Sequence, residues 1–295
     1  MRVLVSGGAG LVGRYVVNGL QGAGYEVVVG GRSSPPRDRF IRPARFVPLA
    51  LDPDLDQQSV FAGIDAFVHA AFDHLSGRYR GGEGTDPDRF RRLNLGGSIR
   101  LFQEAKTAGV RRTVFLSSRA VYDGLPSGTV LSEDIPLRPT TLYGKIKREA
   151  EEALARLSAP GFATASLRLT GVYGDLRPNK WDGLFADYLA GKPVSPRAGS
   201  EVHGNDVAQA VRLMLEKDAN LIGGRAFNLS DIVTDTRAIL ATVQRVTGAL
   251  HPLPPEAETG EVAAMPTDPI RRLGWRAGGL PLLTVTIEKL AKSHL

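Results

Sequence analysis

Tyr143 and Lys147 lie four residues apart in the run Tyr-Gly-Lys-Ile-Lys, and Ser118 closes an apolar stretch upstream of them. Residues 141–157 are rich in strong helix formers, so this spacing puts the phenol and the ammonium on one helix face. A phenol titrates at about 10 and exchanges protons poorly at neutral pH. An ammonium a few ångströms away favours the phenolate, and moving that titration to about 7 takes roughly 4 kcal/mol of differential stabilisation. A hydroxyl such as that of Ser118 would then hold a carbonyl or alcohol oxygen against Tyr143. Together Ser118, Tyr143 and Lys147 are equipment for moving a proton during redox chemistry at a C–O bond. Tyr-x-x-x-Lys also arises by chance on helix surfaces, so the elements that position the three residues must decide.

A chain of 295 residues suits one large α/β domain, or a large domain with a smaller lobe. Cysteine is absent, which excludes disulfides, thiolate nucleophiles and Cys-based zinc sites. The five histidines follow no metal-ligand spacing, so no metal is expected. The net charge is +6, with arginines scattered over many segments. That pattern favours small anionic ligands over nucleic acid. The first residues enter a buried-strand pattern without a signal-peptide core, and no apolar run is long enough to span a bilayer. A cytoplasmic protein with no membrane partner is therefore expected.

Strand-like runs at 2–6, 26–29, 44–49, 66–70, 112–117 and 163–169 alternate with helical patterns that end near 23 and cover 54–61, 88–108 and 141–157. This alternation predicts a Rossmann-type α/β fold, a doubly wound parallel sheet formed by residues 1–170. Residues 76–86 read as a glycine-rich loop. Residues 171–295 are less regular, with helical pieces at 183–191, 205–217, 234–247 and 282–293. They are expected to form mainly a smaller substrate-binding lobe, with a return to the sheet near 205–229.

Between the first strand and the first helix lies Gly7-Gly8-Ala9-Gly10-Leu11-Val12-Gly13. Gly8, Gly10 and Gly13 fit G-x-G-x-x-G, and Gly7, Gly10 and Gly13 fit a wider G-x-x-G-x-x-G. Either template lets the backbone turn sharply and approach a pyrophosphate at a helix N-terminus. The second strand ends Val29-Gly30-Gly31-Arg32-Ser33-Ser34, with no acidic residue to bind a ribose 2′-hydroxyl. The glycines leave room, and Arg32 with Ser33 and Ser34 can meet a 2′-phosphate. NADP is therefore expected over NAD; an exposed Arg32 stacking on adenine would accept either. Asp52, Ala70, Ala71, Ser118 and Arg168 also fall at or near carboxyl ends of predicted strands, where open α/β sheets bind ligands.

These motifs in this order resemble an extended short-chain dehydrogenase/reductase, the NAD(P)-dependent epimerase/dehydratase family. The resemblance rests on Gly7–Gly13, Asp52, His69-Ala-Ala, Asn94 in Asn-Leu-Gly-Gly-Ser, Ser117-Ser-Arg-Ala-Val-Tyr and Tyr143-x-x-x-Lys147. It continues through Leu167-Arg-Leu-Thr-Gly-Val-Tyr-Gly, Val202-His-Gly-Asn-Asp206 and Leu273-Gly-Trp. It implies that Gly7, Gly10, Leu11, Val12, Gly13, Arg32, Ser33, Ala70, Ala71 and Ser117 line the cofactor and that Asp52 meets the adenine. It also implies that Tyr143 is the acid/base, that Lys147 binds the nicotinamide ribose and tunes Tyr143, and that Ser118 polarises the substrate. Asn94 reads as a structural or cofactor-side residue, Asp206 as a helix N-cap and His203 as structural. Family members often pair through the helices at 88–108 and 141–157, so a homodimer is expected.

Two departures narrow the chemistry. Arg119-Ala120 stands where family dehydratases commonly have Asp-Glu, which disfavours elimination, and Gly171 stands where nucleotide-sugar members commonly have Asn. Arg78, Arg80, Arg119, Lys180 and Arg271 are candidates for gripping an anionic substrate. The leading expectation is an NADP-preferring oxidoreductase acting on a small carbonyl, alcohol or sugar. The alternatives are a nucleotide-sugar or sugar epimerase with tightly bound NAD(P), and a non-catalytic dinucleotide sensor.

Overall fold

The apolar runs of the N-terminal half become parallel strands because both of their faces are covered. In the computed structural model, which describes residues 1–74 and 82–294, these are β1 (Arg2–Ser6), β2 (Glu26–Gly31), β3 (Arg45–Pro48), β4 (Ala66–His69), β5 (Arg112–Ser118) and β6 (Ala163–Leu169). Three short strands follow as β7 (Gly171–Tyr173), β8 (Ala198–His203) and β9 (Arg225–Leu229), and β10 (Ile232–Asp235) is the last. The helices are α1 (Gly13–Gly22), α2 (Pro87–Arg91), α3 (Ser98–Thr107), α4 (Leu142–Leu157), α5 (Asp182–Leu189) and α6 (Gly204–Glu216). The remainder are α7 (Ala219–Ile222), α8 (Thr236–Thr247), α9 (Asp268–Arg272) and α10 (Gly279–Lys292).

Seven strands form one parallel sheet in the order β3-β2-β1-β4-β5-β6-β9. The chain works outward from β1 in one direction, then restarts at β4 in the other, so the order reverses between β1 and β4. Ligands bind at such a switch point, outside the carboxyl ends of the strands. Successive side chains of each strand feed opposite layers. Val3 and Val5 join Val16, Val17 and Leu20 of α1 and Val207 and Val211 of α6 on one face. Leu4, Phe67 and Phe115 join Leu101 and Phe102 of α3 and Ile146 and Leu154 of α4 on the other. A strand buried on both faces reads as an unbroken apolar run, as β1, β2 and β4 do.

Two expected elements differ. The helix expected at 54–61 is only a 3₁₀ turn at Gln58–Phe61. Its first half is diverted because Asp52 and Asp56 accept the backbone N–H groups of Asp54 and Gln58, an alternative that competes with helix formation. The helix expected at 88–108 contains a π-helical stretch, Arg92–Gly97, between α2 and α3. There the Asn94 amide donates to the Phe90 carbonyl, and Gly97 lies so close to Leu51 that a Cβ would come within 2.7 Å of its carbonyl carbon.

Beyond β6 the chain forms a second sheet in the order β10-β8-β7, parallel between β7 and β8 and antiparallel between β8 and β10. The sequence pattern predicts a return strand beyond β6 but none of these three strands. Tyr173, Trp181, Phe185, Tyr188, Leu240, Val243 and Ile287 build a separate apolar cluster between this sheet and α5, α8 and α10. The return to the large sheet is β9, which pairs with β6. No helix among the described residues is long and apolar enough to cross a membrane.

Candidate active site

The glycine loop leaves β1 at the switch point. Gly7 adopts φ +67°, its N–H donates to Gly30, and a Cβ on it would lie 2.7 Å from the Ala71 backbone. Gly13 opens α1, where a Cβ would sit 2.2 Å from the Gly7 carbonyl oxygen. Gly7 is thus the residue with the left-handed conformation, so the wider template describes the turn. Only glycine adopts this backbone at low cost. Gly7, Gly10, Leu11, Val12, Gly13, Arg32, Ser33, Ala70 and Ala71 line one cavity of about 250 Å³. An adjoining cavity of about 300 Å³ is lined by Asp52, Leu93 and Arg89, and the two share Gly7, Gly31, Arg32, Ala71 and Phe72. They form one groove, and it is open at Gly31, where an added Cβ would have no neighbour closer than 3.9 Å. The residues present therefore fit a dinucleotide: a tight-turning cradle at a helix N-terminus, open space at the end of β2 and a cation beside it. Asp52 lines the groove while accepting from Arg92 at 3.2 Å.

Ser117, Ser118, Tyr143 and Lys147 do not line that groove. Phe72, which sequence reasoning missed, connects them to it. Its ring lines both cavities, meets Tyr143 edge-on at 5.0 Å, and lies 4.7 Å from the Lys147 Nζ. Phe72 directly follows Ala70-Ala71, which was the available signal. Thr141 caps α4 by accepting from the Gly144 N–H, which fixes the first turn that carries Tyr143. One turn later Lys147 is buried, 4% exposed, with its Nζ donating to the Leu116 carbonyl at 2.8 Å. The ammonium lies 4.6 Å from the Phe115 ring centre and 5.8 Å from that of Tyr143. Ser118, at the end of β5, accepts from the Ala120 N–H at 3.2 Å, and Ser117 is buried with no hydrogen-bond partner for its hydroxyl among the described residues.

Burial pulls the Lys147 ammonium down to about 7, with Glu151 opposing. The folded value is below the unfolded one, so between the two the unfolded chain holds the extra proton. Stability contributed by Lys147 is therefore lowest below about pH 7 and rises toward about pH 10. Lys147→Met is expected to remove this rise, so that its stability advantage over wild type, measured by urea unfolding, shrinks with pH across that window. A difference that stays constant would contradict a buried, titrating ammonium.

Surrounding residues hold this arrangement. Buried Asn94 accepts from the Asp73 N–H at 2.7 Å and donates to its carbonyl at 2.8 Å, fixing the segment that carries Phe72. His69 bridges the Ser6 and Ser98 hydroxyls at 2.6 and 2.8 Å, and burial lowers its pKa to about 3, so the ring is neutral. Arg168 is not a crevice residue. Its guanidinium is buried against Glu151 at 2.8 Å and donates to the Tyr122 hydroxyl at 2.6 Å. His203, not Asp206, caps α6, its Nδ1 accepting from the Asn205 N–H. Asp206 lies inside the first turn and accepts from the Gly278 N–H, and burial raises its carboxyl to about 6. Among the basic candidates, Lys180 pairs with Glu201 and Arg271 bonds Thr267, while Arg78 and Arg80 lie outside the described residues. Arg119 donates to the Ala263 carbonyl at 3.5 Å. No metal-holding cluster occurs among the described residues.

A family model described as the NAD dependent epimerase/dehydratase family matches residues 3–230. The chain belongs to this family. The UDP-glucose 4-epimerase of Streptomyces lividans is 30% identical over 86% of this chain and 82% of its own. The 3 beta-hydroxysteroid dehydrogenase/Delta 5→4-isomerase of Mycobacterium tuberculosis is 34% identical over 78% of this chain and 65% of its own. Among solved structures, the UDP-glucose 4-epimerase of Thermus thermophilus in complex with NAD is 26% identical. It superposes with a TM-score of 0.79 over 100% of both chains. This member of the epimerase/dehydratase family is thus an enzyme with an extended short-chain dehydrogenase/reductase fold. At Gly171 an added Cβ would meet the Glu201 Oε2 at 2.5 Å and the Lys180 Nζ at 2.7 Å, so a larger side chain would have to displace these two side-chain ends. The ion pair fills the space a larger side chain would take.

Proposed function

We propose that this chain is an NADP-preferring oxidoreductase acting at a carbonyl or alcohol carbon of a small molecule. The observation that carries the reading is Lys147, buried one helical turn from Tyr143 and joined through Phe72 to the groove below the glycine loop. When bound there, the dinucleotide supplies or accepts the hydride. The glycine loop, with Leu11, Val12, Ala70 and Ala71, would hold it and Asp52 would meet its adenine; past Phe72, beyond the groove, Lys147 would meet its nicotinamide ribose and Ser117 would lie behind that end. Tyr143 gives or takes the proton at the substrate oxygen, and Ser118 orients that oxygen. A charged Lys147 favours the phenolate and eases proton transfer. The missing carboxylate at the end of β2, with Arg32 and Ser33 beside Gly31, supports the phosphorylated cofactor. Fluorescence titration is expected to give at least about tenfold tighter binding of NADPH than NADH, narrowed by Arg32→Ala. Tighter binding of NADH, unaffected by that change, would falsify the preference.

The steroid dehydrogenase relative favours a dehydrogenase, and the UDP-glucose 4-epimerase relatives favour the second reading, an epimerase that oxidises and re-reduces one sugar carbon. The Lys180–Glu201 ion pair fills the space beside Gly171, so the amide that nucleotide-sugar members commonly carry at this position is missing, which counts against a nucleotide sugar. An intact Ser118, Tyr143 and Lys147 count against a sensor. The assembly proposed is a cytoplasmic homodimer through α3 and α4, which sedimentation at several concentrations tests.

A further inference from the structure

The carboxylate missing from the end of β2 is replaced from across the groove. Asp73, just past β4, accepts from the Arg32 guanidinium at 2.9 Å, and Arg89 of α2 approaches its other oxygen at 3.6 Å. The three side chains meet where Arg32, Asp73 and Arg89 line the same cavity as Gly31 and Asp52. The two arginines are mostly exposed, at 80% and 62%, whereas the Asp73 side chain is 20% exposed. Asp73 is also held from behind, since Asn94 binds both its N–H and its carbonyl. Arg89 is fixed at its backbone, its N–H donating to the Asp86 side chain at 2.8 Å. Arg92, the next arginine but one, is already engaged by Asp52 and Asp54.

We infer that Arg32 and Arg89 form a two-arginine clamp for the 2′-phosphate of NADP, and that Asp73 is the internal anion occupying it until the phosphate arrives. This rests on the NADP reading above and adds to it a second specificity residue, Arg89, with an opposing one, Asp73. Two guanidinium groups face one carboxylate and present more N–H donors than it can engage, while Arg92 with Asp52 and Asp54 brings the wider cluster to charge balance. A phosphomonoester brings up to two negative charges and three acceptor oxygens, and so satisfies both forks better than one carboxylate does. Exposed ion pairs are weak, so the Asp73 contacts yield readily to the stronger ligand.

The test measures dissociation constants for NADPH, NADH and the probe pair 2′,5′-ADP and 5′-AMP, on the intact protein and on Arg32→Ala, Arg89→Ala and Asp73→Asn. Circular dichroism confirms that each variant is folded. The clamp predicts that Arg89→Ala weakens NADPH and 2′,5′-ADP by about 10–100-fold, as Arg32→Ala does, with NADH and 5′-AMP within about twofold. Asp73→Asn, which keeps the shape and removes the competing charge, tightens NADPH and 2′,5′-ADP several-fold. Loss of NADPH affinity in Arg32→Ala but not in Arg89→Ala overturns the clamp and leaves the NADP reading standing. A wild-type protein that prefers NADH and ignores 2′,5′-ADP overturns both.

Discussion

Tyr143→Phe is expected to lower kcat for NADPH-dependent carbonyl reduction by about 10²–10⁴-fold, the usual worth of a positioned general acid. The change removes one oxygen and keeps the ring that packs edge-on against Phe72. The Lys147 bond to Leu116 does not involve that oxygen, so cofactor affinity is expected to stay within about threefold. Lys147→Met behaves differently. It deletes the ammonium held between Phe72 and Phe115 and is expected to weaken the cofactor as well as kcat. The pH profile separates the two roles. If Tyr143 is the proton donor, the limb of the wild-type profile that reports it is absent from the residual activity of Tyr143→Phe. Full activity in that variant, on any substrate the wild type reduces, would remove Tyr143 from the chemistry.

Arg168→Met carries the largest expected effect on stability. Arg168 and Glu151 are buried, with side chains 6% and 7% exposed, and three guanidinium–carboxylate contacts join them at 2.8–3.2 Å. The Tyr122 hydroxyl accepts from Arg168 and donates to Asn228 Oδ1 at 2.9 Å, while Asn228 donates to the Leu131 carbonyl at 2.7 Å. This chain of bonds ties α4 to β6, β9 and the segment before α4. Removing one member of a buried pair leaves an uncompensated charge, which typically costs about 3–5 kcal/mol. For 295 residues, with an unfolding entropy of about 0.6 kcal/mol/K, that corresponds to a fall of roughly 5–8 °C in Tm. Arg168→Met with Glu151→Leu is expected to lose less than Arg168→Met alone, because no charge is stranded. Glu151 also supports the charge on Lys147, so the double variant is expected to lower Lys147 further and shift the pH dependence described above. A single variant that melts within a degree of wild type would show that the network contributes little.

The parts of this fold that were legible in the sequence are those whose signals are local. β1, the glycine loop and α1 are readable because a strand buried on both faces is an unbroken apolar run and the turn requires glycine at fixed positions. α4 is readable from its helix formers and from Tyr143 and Lys147 at i and i+4. The second sheet was not legible. β7 has three residues, and β8, Ala-Gly-Ser-Glu-Val-His, has no apolar alternation, since its pairing with β7 and β10 is set by tertiary contacts. The π-helical stretch depends on where one amide, that of Asn94, finds its partners. Arg168 lies at the carboxyl end of a strand, as site residues do, yet its side chain turns to Glu151 on α4. Phe72 and Arg89 carried no motif of their own, and only the folded chain brings them to Lys147 and Arg32.

Net hydride transfer from NADPH, with Tyr143 moving the proton, is open to a direct assay. The near-ultraviolet absorbance of the reduced nicotinamide is followed while the protein is offered NADPH with a panel of carbonyl compounds and sugars. For at least one carbonyl compound, NADPH is expected to disappear in one-to-one proportion to alcohol formed, and Tyr143→Phe is expected to abolish this loss. Conversion of a sugar to its epimer with no net change in absorbance, by protein that purifies with NAD already bound, would contradict net hydride transfer.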